Sequence, residues 1–232
     1  MAPTLEQLQQ GQVFLIDKPL DWTSFDVVNK IRWNIRKNHG LKKFKVGHAG
    51  TLDPKATGLL IICTGRKTKE IESYQNQHKA YTGTIKLGAT TASYDTEQPE
   101  DAHFPTEHIT TEMLHQVAQQ FTGVIQQLPP IHSAIKKDGK KLYEYARGGK
   151  EIDVKAREVE ILEFRIMQVQ MPFVDFYIAC SKGTYIRSIA HDFGAALKSG
   201  GYLYALRRVS SGDFHVEESD NAPLEFDFFT EV

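Results

Sequence analysis

Apolar and polar positions change their spacing several times along this chain, and each change marks an element. QVFLID (12–17) reads as a short strand that stops at Lys18–Pro19. Ser24 then stands as an N-cap ahead of Phe25, Val28, Ile31 and Ile35, which recur at helical spacing. A basic loop covers 36–45, and the segment 45–65 ends in the buried-strand run LLIIC, bounded by glycines. HKAYTGTIKLG (78–88) alternates as a half-buried strand does, and 90–105 reads as a polar loop. In TTEMLHQVAQQF (110–121), Leu114, Val117, Ala118 and Phe121 predict a helix capped by Thr110 or Thr111. VEILEFRIMQVQ (159–170) and FVDFYIACS (173–181) predict two strands. A helix follows over 185–198, and a final strand, LRRVSSGDF (206–214), comes after the Gly200–Gly201 break. Residues 125–152 stand apart as a basic stretch punctuated by Pro and Gly around a short helix, KLYEYAR.

Several strands follow one another directly, without regular strand–helix alternation. That pattern predicts an α+β fold with a mixed, largely antiparallel central sheet flanked by helices, not a doubly wound parallel one. A length of 232 residues suits a single domain spanning 1–232 with an insertion at 125–152. Hydrophobic residues at 41% and charged residues at 25% are ordinary for a folded chain with a core of its own. Cys63 and Cys180 each sit in an apolar run and read as buried free thiols, which fits a reducing compartment. The N-terminal MAPTLEQLQQGQ has neither a basic nor an apolar signal region, and no stretch approaches a membrane span, so the expected location is cytoplasmic.

Net charge is −1 and excludes nothing, but its distribution is uneven. RKNHGLKKFK (36–45), KKDGKK (136–141) and Arg207–Arg208 are local basic clusters, while acidic residues gather at 95–101 and near the C-terminus. Such asymmetry either makes a positive face or only solvated loops.

The most unusual segment is Gly47-His48-Ala49-Gly50-Thr51-Leu52-Asp53-Pro54, just ahead of Ala56-Thr57-Gly58. Its glycines and proline define a loop of demanding backbone geometry, from which His48 and Asp53 could project together. Asp53 is then either a cleft carboxylate or a turn cap. An ionised cleft carboxylate needs a cation, and Arg187 is the candidate; the alternative is an exposed helical arginine. Tyr81 stands mid-strand, where packing alone would explain it. Walker, dinucleotide, GxSxG and HExxH motifs are all missing, and the nine histidines have no ligand spacing, so no metal site is expected. In 125–152, His132, Tyr143 and Tyr145 interleave with Lys and Arg, a pattern suited to unpaired bases and phosphates or to an amphipathic helix.

Read together, IDKPLDWTSFDVV (16–28), GHAGTLDPKATGLL (47–60), KAYTGTIKLG (79–88), LPPIHSAIKKDGKKLYEYARGGKEI (128–152), CSKGTYIRSIAHDFG (180–194) and LRRVSSGDF (206–214) resemble the TruB family of tRNA pseudouridine-55 synthases. Order and spacing agree over nearly the whole chain. The resemblance implies a pseudouridine-synthase-like catalytic domain that works on the T arm of tRNA, without cofactor or metal, as a monomer. It implies Asp53 as the essential carboxylate, Tyr81 as the tyrosine stacked on the target base, and Arg187 as the arginine paired with the aspartate. His48 matches a histidine inserted into the T loop, Tyr185 and Leu206 match pocket-lining positions, and Lys18 matches a basic residue near the active site. Residues 125–152 match an RNA-gripping insertion.

Three departures accompany the match. Asp21 stands where the family usually has glycine, and His132 where Tyr or Phe is common. After LRRVSSGDF the chain runs into VEESDNAPLEFDFF (216–229), and no C-terminal PUA-type domain is expected. Rival readings are an RNA-binding protein or tRNA-folding chaperone, and a carboxylate-dependent hydrolase, which would need a second catalytic acid near Asp53.

Overall fold

The structure, a computed structural model, describes residues 2–131, 136–137, 140–141, 145 and 154–229. Most of the predicted KLYEYAR helix, His132, Tyr143 and most of the 125–152 insertion lie outside these residues. Two compact units are present, one formed by Met1–Tyr81 with Arg207–Val232, the other by Thr82–Leu206.

In the first unit, helix α1 (Leu5–Gln10), strand β1 (Val13–Lys18), helix α2 (Ser24–Asn38), strands β2 (Val46–His48) and β3 (Ala56–Thr64) and helix α3 (Ile71–Gln75) follow in order. Strand β3 pairs antiparallel with β1, Ile16 opposite Leu60, and with β2, His48 opposite Ile62. Its unbroken apolar run has a simple cause, because both faces are covered. Leu60 and Ile62 pack with Ile16 and the inner face of α2, while Leu59, Ile61 and Cys63 pack with Ala49 and Val216.

Thr23, not Ser24, is the N-cap of α2. Its hydroxyl accepts from the Asp26 N–H at 3.0 Å and the Asp26 carboxylate accepts from the Thr23 N–H at 2.8 Å, a capping box that needs the acid three residues on. The expected face is buried except at its first residue. Phe25 points to solvent, 55% exposed, and Val27, Val28, Ile31 and Ile35 are buried. The acidic segment 216–229 is also more than a tail. Leu224 and Phe229 are buried, Phe14 meets Phe228 and Phe229 edge-on, and the Asn34 amide donates to the carbonyls of Pro223, Leu224 and Glu225.

The second unit contains β5 (Ala89–Thr91), β6 (Glu100–His103), α4 (Thr111–Gln120), β7 (Gly123–Gln127), β10 (Arg157–Gln170), β11 (Phe173–Cys180) and α5 (Ile186–Ala196), with the short pair β8 (Lys136–Lys137) and β9 (Lys140–Lys141) between β7 and β10. Strands β4 (Lys79–Leu87) and β12 (Gly201–Ser211) contribute most of their residues to it, and β13 (Phe214–His215) follows in the first unit. The strand order is β12-β4-β11-β10-β7. Pairs β10–β11, β7–β10 and β5–β6 are antiparallel. An aromatic cluster of Phe121, Phe164, Phe176 and Phe193 fills the space beneath α4 and α5. Gly83 allows β4 and β12 to approach, since a Cβ there would stand 2.4 Å from the Ala205 carbonyl oxygen.

These units make the α+β architecture expected from the sequence. Unanticipated elements include α1, β2 and α3, the pair β5–β6, hidden in a polar run, β7, and the start of β12, which begins directly at Gly201. Cys63 and Cys180 are buried free thiols.

Candidate active site

In the first unit, β2 and β3 bracket the 47–54 loop, and contacts from several directions define its path. Leu52 is held on both sides by the buried Ser24 hydroxyl, which accepts from its N–H at 2.8 Å and donates to its carbonyl at 3.0 Å. The Pro54 carbonyl accepts from the Asp21 N–H at 2.9 Å and from the Lys18 ammonium at 3.4 Å. Arg208, itself buried, donates through Nη2 to the Gly50 carbonyl at 3.1 Å and through Nε to the Leu59 carbonyl at 2.7 Å. Gly58, at φ 101°, is required here because a Cβ would stand 2.3 Å from the Arg208 carbonyl oxygen. Asp53 lies between two anchored neighbours and is half-buried.

Lys18 is fully buried at the end of β1, where its ammonium also donates to the carbonyls of Pro19 and Trp22. Burial pulls its pKa down to about 8, against the upward influence of the nearby Asp53 carboxylate and the smaller one of Asp21. His48 is half-buried, and desolvation together with the Arg208 charge holds its pKa below the usual imidazole value. The first unit thus brings Lys18 into the electrostatic field of Asp53 and places Arg208 beside Lys18 and His48. Tyr81, on β4, is buried at 7% exposure.

Asp21 adopts φ 64°, the left-handed region, and its carboxylate meets the Lys55 ammonium at 2.6 Å. That backbone requirement explains why glycine suits this turn, and the aspartate keeps its shape.

In the second unit, Arg187 occupies the first turn of α5 and is buried at 5% exposure, which excludes the exposed-helix reading. Nη1 donates to the Ser93 carbonyl at 3.3 Å and lies 3.3 Å from the Asp95 carboxylate. Asp95 is held in turn by the Ser93 hydroxyl at 2.6 Å and the Glu97 N–H at 2.9 Å. Tyr185 caps α5, and its backbone exchanges two hydrogen bonds with the buried Gln127 side chain, at 2.8 and 3.0 Å. The Arg157 guanidinium lies 4.5 Å from the Tyr185 ring centroid. Leu206 lies half-buried on β12.

Sequence reasoning took Ser24 only as a helix cap and Arg208 only as part of a basic pair, and did not single out Ser93, Asp95 or Gln127. Each acts through tertiary contacts that leave no local pattern; only their places within the matched segments, for Ser24 and Arg208, could have marked them. The 36–45 charge run is partly a built feature. A cavity of about 790 Å³ in the first unit is lined by Arg32, Arg36, Lys42, Lys43, Lys45, Arg66 and Lys69, with Phe44 and without a carboxylate. Among the described residues there is no group of acids, histidines or cysteines that could hold a metal ion, and no helix long and apolar enough to cross a membrane.

Comparison with known proteins places the chain. The model of the TruB family pseudouridylate synthase N-terminal domain matches residues 36–186. The tRNA pseudouridine synthase B of Flavobacterium johnsoniae is 55% identical over 95% of this chain and 97% of its own length. Its counterpart in Phocaeicola vulgatus is 50% identical over 90% of this chain and 89% of its own length. A solved Cbf5–Nop10–Gar1 complex contains a chain with TM-score 0.68 and 28% identity over 95% of this one, although the present chain spans only 53% of that length. An enzyme of the isomerase class follows from this fold, these motifs and these relatives: the protein belongs to the TruB family of pseudouridylate synthases.

Proposed function

We propose that the protein converts the uridine at position 55 in the T loop of tRNA to pseudouridine, with Asp53 as the carboxylate that acts on the nucleotide. The observation that carries this reading is the loop itself: Leu52 clamped by Ser24 and Pro54 bound by Asp21 and Lys18, so that Asp53 is presented on a fixed backbone within the field of a buried cation. Preorganisation of this kind is what lets a single carboxylate act at a defined atom.

The reaction breaks the bond from N1 to C1′ and forms one from C5 to C1′; the C5 proton leaves to solvent and N1 acquires one. Nothing is oxidised, so no cofactor is needed. A stacked base cannot turn over in place, and the nucleotide is therefore extruded, with the neutral His48 imidazole suited to the space it leaves. Asp53 acts either by attack on carbon or by removal of the C2′ proton, and both need it ionised. By the same reading Arg187 has the role of complementary charge, Tyr81 that of stacking on the base and removing the C5 proton, Tyr185 and Leu206 those of contacts to the nucleotide, and Lys18 that of a cation near Asp53. The RNA backbone rests on the cationic cavity and on the 125–152 insertion. A monomer working in the cytoplasm belongs to the same reading.

The test is tritium release from a T-arm stem-loop labelled at uridine C5. Wild-type protein is expected to release tritium, and Asp53→Asn to be slower by roughly 10²–10⁴-fold or more. No release by the wild type from either the stem-loop or full-length tRNA would overturn the assignment and leave an RNA-binding protein; release of free uracil would make it a hydrolase.

A further inference from the structure

Two side chains one helical turn apart hold the same short turn. Arg187 and His191 are i and i+4 on α5, so they share a face. Arg187 binds the turn 93–95 at both ends, through the Ser93 carbonyl and the Asp95 carboxylate, each at 3.3 Å. His191 takes its middle: its ring stacks on Tyr94 with centroids 3.9 Å apart and planes inclined by 15°.

Tyr94 is an unusual residue for that position. Its φ is 63°, in the left-handed region that disfavours a side chain with a Cβ, and it persists only where its surroundings over-determine it. Part of that determination is backbone: the Tyr94 N–H donates to the Thr91 carbonyl at 3.1 Å, and the Tyr94 carbonyl accepts from the Leu203 N–H at 2.9 Å. From α5 the ring is held by this stack. Among the described residues the buried His191 Nδ1 atom has no hydrogen-bond partner, so no polar bond at that atom competes with the ring contact.

We infer that His191 is a positioning residue for the reaction, acting through Tyr94 to hold the turn whose Asp95 carboxylate aims the Arg187 guanidinium. The inference rests on the role proposed above for Arg187. Removing the ring frees Tyr94 to leave its strained conformation, and the next residue, Asp95, moves with it. The RNA contacts are untouched, so the effect falls on turnover and not on substrate binding.

The experiment measures kcat and KM by tritium release from the T-arm stem-loop for His191→Ala, His191→Leu and His191→Phe, beside Arg187→Met and the wild type. His191→Ala and His191→Leu are expected to lower kcat about five- to twentyfold with KM within twofold of wild type, a size typical of misplacing a group at one remove from the chemistry. His191→Phe, which keeps a stacking ring, is expected to recover kcat to within about twofold. Should His191→Ala fail to fold, His191→Leu fills the same space without a stacking ring and carries the comparison. A His191→Leu kcat equal to wild type, a His191→Phe as slow as His191→Leu, or a loss confined to KM would each overturn the inference. A slow Arg187→Met beside a fast His191→Leu would overturn it while leaving the function of Arg187 standing. Full activity in Arg187→Met would overturn both.

Discussion

The Ser24 hydroxyl holds both backbone polar groups of Leu52, accepting from its N–H at 2.8 Å and donating to its carbonyl at 3.0 Å. Asp53 follows directly. One buried hydroxyl on α2 therefore sets the backbone from which the proposed carboxylate projects.

Ser24→Ala removes that hydroxyl and leaves a buried N–H and carbonyl without it, at a cost of about 1–3 kcal/mol in stability. Urea denaturation measures this loss. Tritium release should fall as well, by more than the folded fraction accounts for, because Asp53 is no longer on a fixed backbone. An Ala variant as active per folded molecule as wild type would show that the clamp serves folding only.

Lys18 should leave a signature in the alkaline range. Its folded pKa, lowered by burial to about 8, lies below the ordinary lysine value of 10.5. Between those pH values the folded chain has released the proton and the unfolded chain still binds it, so this group makes stability rise with pH across that window. Below pH 8 both states are protonated and the slope vanishes. Subtracting the denaturation profile of Lys18→Met from that of wild type isolates the effect. A flat difference from pH 7.5 to 10.5 would contradict it.

The cationic cavity predicts a specific salt dependence. Lys42→Glu with Lys43→Glu should weaken tRNA binding, and the slope of log affinity against log salt should shrink by about one for each phosphate that the variant no longer neutralises. Filter binding at several salt concentrations reads both. Since the contacts that hold the 47–54 loop come from Ser24, Asp21, Lys18 and Arg208, kcat at saturating RNA should stay at the wild-type value.

Asp21 offers a test of backbone strain. Asp21→Gly removes a left-handed residue with a Cβ and loses the exposed pair with Lys55 and a small influence on Lys18, so it should be stabilising by about 0.5–1 kcal/mol. Asp21→Val should destabilise by more than that, since β-branched residues suit this conformation least. Thermal melts of the two variants should therefore fall on opposite sides of wild type.

Much of the site was legible because its signals are local. A loop written GHAGTLDP needs its glycines and proline whatever surrounds it, and the α+β class followed from strands placed one after another. Arg187 illustrates the limit. Its burial excludes the exposed helical reading, but whether a helical arginine faces in or out depends on the turn 93–95, some ninety residues away, and no periodicity encodes that. Phe25 shows the same limit in a small way: helical spacing groups it with Val28, Ile31 and Ile35, yet those three are buried beside Val27 while Phe25 faces solvent.

The sequence by itself determined most of the longer elements, the class of fold and the motif from which the chemistry is proposed, because helix periodicity, strand alternation and glycine turns are decided by neighbours a few positions apart. Only the tertiary structure decided that Ser24 clamps Leu52, that Lys18 is a buried ammonium in the field of Asp53, that Asp95 meets Arg187 and that His191 stacks on Tyr94. Those relationships join side chains far apart along the chain. Their strength comes from burial, which makes an ion pair, a hydroxyl or a ring contact count for more than it would in water, and burial is a property of the fold as a whole.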